Sequence, residues 1–151
     1  MRLSVNQTSL MHMKIAFNYN QLKLYDKALA DSSTAIELKP NDADSYVDRA
    51  NANEGLGRFD DAIADFAEAL HLNPLQPSSG QTLAEAYLDS GKLSWAFDDY
   101  CSAIADFSET IRLSPNSRSA YEFRGMMYKA IGKLKEAQTD FAKARELGPG
   151  S

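Results

Sequence analysis

Side chains with catalytic or ligating chemistry are few and scattered. His12 and His71 are the only histidines and Cys101 the only cysteine in 151 residues. His12 falls on a packing position of an apolar-periodic stretch. His71 falls near the end of a helix, where the dipole favours a cation. Cys101 has neither a histidine nor a second cysteine nearby in sequence, so it reads as a packing residue or a free thiol rather than an activated nucleophile. No metal-ligand spacing, phosphate-cradling glycine loop or nucleophile motif is present. The acidic pairs Asp60-Asp61 and Asp98-Asp99 are of a type that binds divalent cations, but both read as helix-start residues, where negative charge is favoured. The expectation is a chain with no catalytic residue, no metal site and no cofactor, which is not an enzyme.

The elements that position these residues are helices. Ala43 to Pro74, ADSYVDRANANEGLGRFDDAIADFAEALHLNP, is the reference stretch. Tyr46 and Ala50 lie one turn apart on one face, and Gly57 marks the turn as the residue that best tolerates a left-handed conformation. Phe59, Ala62, Ile63, Phe66, Ala69 and Leu70 then follow at amphipathic spacing, with Asp60, Asp61, Asp65 and Glu68 outward. Asn73-Pro74 ends the second helix. Small residues at Ala50, Ala62 and Ala69 let two antiparallel helices approach closely, so the unit is a helical hairpin.

The hairpin recurs. Pro40, Pro74, Pro115 and Pro149 close helices at a step of about 34 residues, with one longer step between Pro74 and Pro115. The second helices carry Ala28-Ser32-Ala35, Ala62-Phe66-Ala69 and Ala137-Phe141-Ala144. The first carry Ile15-Ala16-Tyr19, Arg49-Ala50-Asn53, Leu83-Ala84-Tyr87 and Arg124-Gly125-Tyr128. A repeat of this period with these positions resembles the tetratricopeptide repeat (TPR), over about residues 9–149. The resemblance implies an all-α fold, a right-handed α-superhelix (α-solenoid) of four antiparallel helix pairs. The expected organisation is a flexible N-terminus at 1–8 and one TPR domain at 9–149, with repeats at about 9–42, 43–76, 77–117 and 118–151.

Bulk properties agree with a folded interaction domain. Hydrophobic content is 44% and charged content 25%, ordinary for a globular chain. A net charge of −5 argues against non-specific nucleic-acid binding, which needs a basic surface. A single cysteine requires no oxidising compartment, no run is long enough to span a bilayer, and MRLSVNQTSLMHMK lacks the apolar core of a secretory signal. A cytoplasmic location is the default expectation, with no membrane insertion.

Two copies depart from the pattern. In the first, Lys23 stands where glycine stands elsewhere, at a cost of roughly 1 kcal/mol if the turn geometry is kept, and Ser32 replaces the aromatic. In the third, Ser78 or Ser79 is a plausible helix cap, and the seven extra residues lie between Gly91 and Pro115. Two registers, Ala96-Tyr100-Ala103 and Ala103-Phe107-Thr110, keep the same face inward, because seven residues make about two turns. The expectation is one helix from about Leu93 to Leu113, overhanging its neighbours by roughly 10 Å. Trp95 would lie in that overhang, buried against Phe97 or Tyr100 or exposed as a partner anchor. The chain stops at Pro149-Gly150-Ser151 with no covering helix, which suggests a fragment or an oligomer contact through the last repeat.

In the TPR family the first helix of each repeat lines the concave side, and the resemblance assigns groove positions here. The first repeat supplies Leu10, Met13, Lys14, Phe17, Asn20 and Gln21, and the second Asp44, Val47, Asp48, Asn51 and Glu54. The third supplies Gln81, Glu85, Leu88 and Asp89, and the fourth Glu122, Phe123, Met126 and Lys129. The expected groove has an acidic middle from Asp44 to Asp89 flanked by Met13-Phe17 and Phe123-Met126. It suits a protein or peptide that is basic or neutral and carries apolar anchors. Family members that clamp a terminal carboxylate use Lys and Asn where this chain has Met13, Phe17 and Asp48, so that ligand is excluded. Two other functions fit the sequence: a self-assembling scaffold using the uncovered C-terminal repeat and the long third-repeat helix, or an accessory module of a larger enzyme complex.

Overall fold

The computed structural model describes residues 4–74 and 77–148, with only the backbone for 77–81. The described residues form helices α1 (Val5–Gln21), α2 (Tyr25–Leu38), α3 (Ala43–Gly55), α4 (Phe59–Leu72), α5 (Pro77–Ala96), α6 (Tyr100–Leu113), α7 (Arg118–Ala130) and α8 (Leu134–Leu147), and no strand. Consecutive helices pack as antiparallel pairs, the all-α hairpin architecture that the repeat spacing predicts. The chain divides into two compact units, Met1–Gly80 and Gln81–Ser151.

Local chemistry explains the helix boundaries. α1 starts at Val5, inside the stretch expected to be frayed, because Ser4 and Gln7 form a capping box: Gln7 N donates to Ser4 Oγ (3.2 Å) and Ser4 N to Gln7 Oε1 (3.0 Å). Asp42 caps α3, accepting from Ser45 N (3.2 Å) and Ser45 Oγ (2.6 Å). α5 opens on Pro77, which suits a first helical position because it has no N–H to leave unpaired. Ser78 and Ser79, the expected caps, therefore lie within the helix.

All four hairpin turns share one closure. Leu24 N donates to Tyr19 O (2.8 Å), Arg58 N to Asn53 O (2.8 Å), Asp99 N to Ser94 O (2.9 Å) and Lys133 N to Tyr128 O (2.8 Å). The residue preceding each donor has a positive φ: Lys23 (57°), Gly57 (73°), Asp98 (60°) and Gly132 (81°). Lys23 thus keeps the glycine geometry. Asp98, not Gly91, makes the third turn.

That turn corrects the reading of the third repeat. There is no helix from Leu93 to Leu113: α5 runs through Leu93 and ends at Ala96, and α6 begins at Tyr100. The extra seven residues lengthen the start of α5, a 20-residue helix, and the rest is an ordinary repeat beginning near Ala84. Asp98 and Asp99 are turn residues, with Asp99 capping α6 through Ser102 N (3.1 Å). Gly91 imitates a turn glycine because close helix packing also selects glycine. A Cβ there would lie 2.6 Å from the Phe107 ring, as one on Gly125 would lie 2.8 Å from the Phe141 ring. In the second repeat the residues at the equivalent places are Ala50 and Phe66, both fully buried. In the first repeat the smaller Ser32 is also buried, and its hydroxyl is satisfied by Ala28 O at 2.7 Å.

Each hairpin is also stapled by one aspartate of its second helix. Asp31 meets His12 Nδ1 at 2.8 Å, and Asp106 accepts from Ser90 Oγ at 2.8 Å. Asp65 accepts twice from Arg49 (2.9 and 2.6 Å), and Asp140 twice from Arg124 (both 2.8 Å). Asp65 and Asp140 are buried, so the paired arginines are what make their burial tolerable.

Candidate functional site

In the first unit, α1 and α3 form the walls of an open cleft of about 570 Å³, lined by Met13, Lys14, Phe17, Asn18, Asp44, Val47, Asp48 and Asn51. Seven of these, all but Asn18, belong to the groove set suggested by the sequence. Helical spacing explains the grouping: Met13 and Phe17 are one turn apart on α1, as are Asp44 and Asp48, and Val47 and Asn51, on α3. Phe17 is 53% exposed, a large apolar side chain held open to solvent. Two further candidates are not among its lining residues. Asn20 Nδ2 donates to the Asp48 backbone carbonyl (2.7 Å), tying α1 to α3, and Glu54 lies on the last turn of α3.

Asp48 is the exceptional group. It is only 6% exposed, yet no described side chain donates to its carboxylate. Burial, reinforced by the negative charges of Asp44 and Asp42, pushes its pKa from the ordinary 3.8 up to about 7. Asp42 itself is spoken for by Ser45 and by Lys39, whose Nζ lies 3.0 Å away.

The second unit handles its corresponding face differently. Phe123 stacks on the buried Phe107 (centroids 5.5 Å, 25° between planes) and meets Trp95 at 5.9 Å. Lys92 Nζ lies 5.9 Å from the Phe123 centroid and pairs with Asp89 (2.7 Å). Trp95 is 39% exposed and sits on Phe123 rather than on Phe97 or Tyr100, and there is no overhang. Phe97 is 77% exposed at the turn. Glu85 and Leu88 line a separate cleft with Thr110, Ser114, Asn116 and Ser117. Glu122 pairs with Arg118 (2.9 Å), Met126 and Lys129 are exposed on α7, and the Gln81 side chain lies outside the described residues.

Sequence spacing missed Lys92 and Trp95 as members of this face. The signal was available. Pro115 follows Ala103 at the same interval as Pro74 follows Ala62, which selects the Ala103-Phe107-Thr110 register and moves the first helix of the repeat to Ala84. Glu85, Leu88 and Asp89 remain first-helix residues in either register because the shift is two turns.

The histidines and the cysteine lie on three different helices, α1, α4 and α6. His12 is engaged by Asp31, His71 lies in the last turn of α4, and Cys101 is an exposed free thiol. Among the described residues no cluster of His, Cys, Asp or Glu has metal-binding geometry, and no helix is long and apolar enough to cross a membrane.

A chain of helical hairpins, small-to-aromatic at three of the four crossings and closed by left-handed turns, is a helical-repeat protein. The chain belongs to the tetratricopeptide-repeat family: family descriptions match residues 11–42, 43–75 and 119–149. Proteins of this family generally mediate protein–protein contacts and are typically not enzymes. Among solved structures, MamA is similar in fold, with TM-score 0.66, 23% identity and coverage of 92% of this chain and 77% of that one. YrrB, described as a TPR protein with an unusual peptide-binding site, aligns with TM-score 0.60 and 22% identity over 92% of this chain and 68% of that one. Among curated proteins, the SGT1 homolog of Bos taurus is 45% identical over 47 residues, 31% of this chain. The chain spans 14% of that relative's length.

Proposed function

We propose that the chain is a non-enzymatic interaction module that binds a peptide or partner segment on the first-helix faces of its units, and that its partner is basic or neutral with apolar anchors. The observation that carries this reading is the α1–α3 cleft, where the exposed Phe17 and the half-buried Met13 and Val47 surround a buried carboxylate that no described side chain satisfies. A folded protein gains nothing from leaving such a group unpaired, and an incoming donor removes the penalty. Family membership supports a protein ligand over a small molecule. The peptide-binding description of YrrB is that protein's own and supports the reading by likeness of fold.

The test is a peptide array graded in net charge and apolar content. The chain is expected to retain basic and neutral peptides with apolar residues, and Asp44→Lys with Asp48→Lys and Glu85→Lys is expected to lose them while helicity is unchanged. Retention unaffected by the reversal, or a preference for acidic peptides, overturns the assignment.

A further inference from the structure

The first-unit cleft has the parts of a more selective site than a general acidic surface. Its mouth carries one exposed charge of each sign, Lys14 on α1 and Asp44 on α3, so the rim is close to neutral. The charge within is that of Asp48, nine-tenths buried, lining the cleft and accepting from no described donor. The uncharged lining is Met13, Phe17 and Val47 together with the amides Asn18 and Asn51. Apolar side chains beside one buried carboxylate match a long aliphatic stem ending in a cation.

We propose that the α1–α3 cleft is a pocket for one protonated basic side chain, lysine or arginine, of a bound peptide, with its stem on Met13, Phe17 and Val47 and its head on Asp48. This rests on the peptide-binding reading and adds to it which side chain is read and where. It also makes recognition proton-linked. The Asp48 carboxyl is half protonated near pH 7 in the free protein, and a cation binds only its ionised form. The charged groups around it are Lys14 from α1, Lys39 at the end of α2 where it pairs with Asp42, and Asp42 and Asp44 at the start of α3; none of the lining residues comes from α4. Of these, the two aspartates hold the carboxyl up and the incoming cation brings it down. Binding therefore releases a proton and strengthens as pH rises through about 7.

The probes are N-acetyl-arginine amide and N-acetyl-lysine amide, with the neutral citrulline and norleucine amides as shape controls, followed by the backbone amide shifts of Val47, Asp48 and Asn51. The cationic probes are expected to move these resonances at least about tenfold more tightly than the neutral ones. Their affinity should drop about thirtyfold between about pH 8 and about pH 5.5. Asp48→Asn, with unchanged helicity, should erase both the charge preference and the pH dependence. Equal binding of citrulline and arginine, a flat pH profile, or shifts outside the cleft overturns the pocket. If the pocket fails while the array still retains peptides, only the side-chain assignment is lost; if the array also retains nothing, the interaction reading fails with it.

Discussion

Asn20 and Asp48 in the first unit and Trp95 and Phe123 in the second occupy the same two places of the repeat, each pair displaced from its counterpart by one common offset. In the first unit the pair is polar: Asn20 reaches the Asp48 backbone carbonyl, the Asp48 carboxylate is left without a described donor, and a cleft opens over it. In the second the pair is aromatic, Trp95 on Phe123 on Phe107, and apolar contact takes the place of a buried acidic group. The backbones are built alike, with the same turn closure, so the difference is carried by side chains that hold no hairpin together. One face retains an unmet electrostatic demand at the expense of stability. The other converts the same positions into core-like packing.

Exchanging the two solutions is the strongest way to break this comparison. Phe123→Asp removes the ring stacked on Phe107 and puts a carboxylate beside Trp95, and should cost about 3 kcal/mol. Trp95 is the single tryptophan, so its emission reports the second unit: it should shift to the red and its urea midpoint should fall ahead of the helical signal. An unchanged midpoint would mean that Phe123 is a surface ring and that the two faces do not differ in kind.

Arg49→Ala and Arg124→Ala test whether the frames beneath the faces are equivalent. Each strands a buried aspartate, Asp65 or Asp140, and each should cost about 3 kcal/mol at neutral pH. Arg124→Ala should be the worse by under about 1 kcal/mol, because Arg124 also donates to Ser108 Oγ at 3.1 Å. Denaturation of the two variants side by side decides this.

Asp48→Asn should stabilise the chain by about 2 kcal/mol at pH 8, half of what its full upward shift would give, since the cleft is open to water. The sign follows from a folded pKa of about 7 above an ordinary 3.8. The contribution of Asp48 is favourable in acid and is lost as pH climbs from the ordinary carboxylate value through about 7, so the gain from asparagine should vanish near pH 4. A gain independent of pH would show that Asp48 is not the group held up. The smallest effects belong to the turns: Lys23→Gly in the first unit and Asp98→Gly in the second should each add about 0.5–1 kcal/mol, because both residues hold a positive φ. Thermal midpoints suffice to read them.

Much of the fold was legible because alanine, aromatic and proline fall at fixed offsets wherever helices must cross closely and stop. The third repeat resists such a reading because glycine serves two purposes: Gly91 gives way to Phe107, Gly57 takes a positive φ, and spacing alone does not separate them. The seven-residue surplus hides the difference, since two whole turns leave every inward residue facing inward. The face residues were legible as positions but not as environments. Nothing in one dimension shows that Asp48 is buried without a described donor, that Asn20 ties off a carbonyl rather than that carboxylate, or that Trp95 meets a ring on α7. Such properties come from the depth between helices, which periodicity does not encode.

The aspartate staples bear on how such a chain can lengthen or shorten. Acceptor and donor lie 19 residues apart in the first hairpin and 16 in the other three, always inside the same repeat. The bond from Arg124 to the preceding hairpin ends on a neutral hydroxyl, Ser108. The buried carboxylates of Asp65 and Asp140 are therefore each paired within their own hairpin. A duplication or deletion of one whole repeat carries both partners together and strands no buried carboxylate, so copy number can drift through unequal crossing-over without a compensating mutation elsewhere.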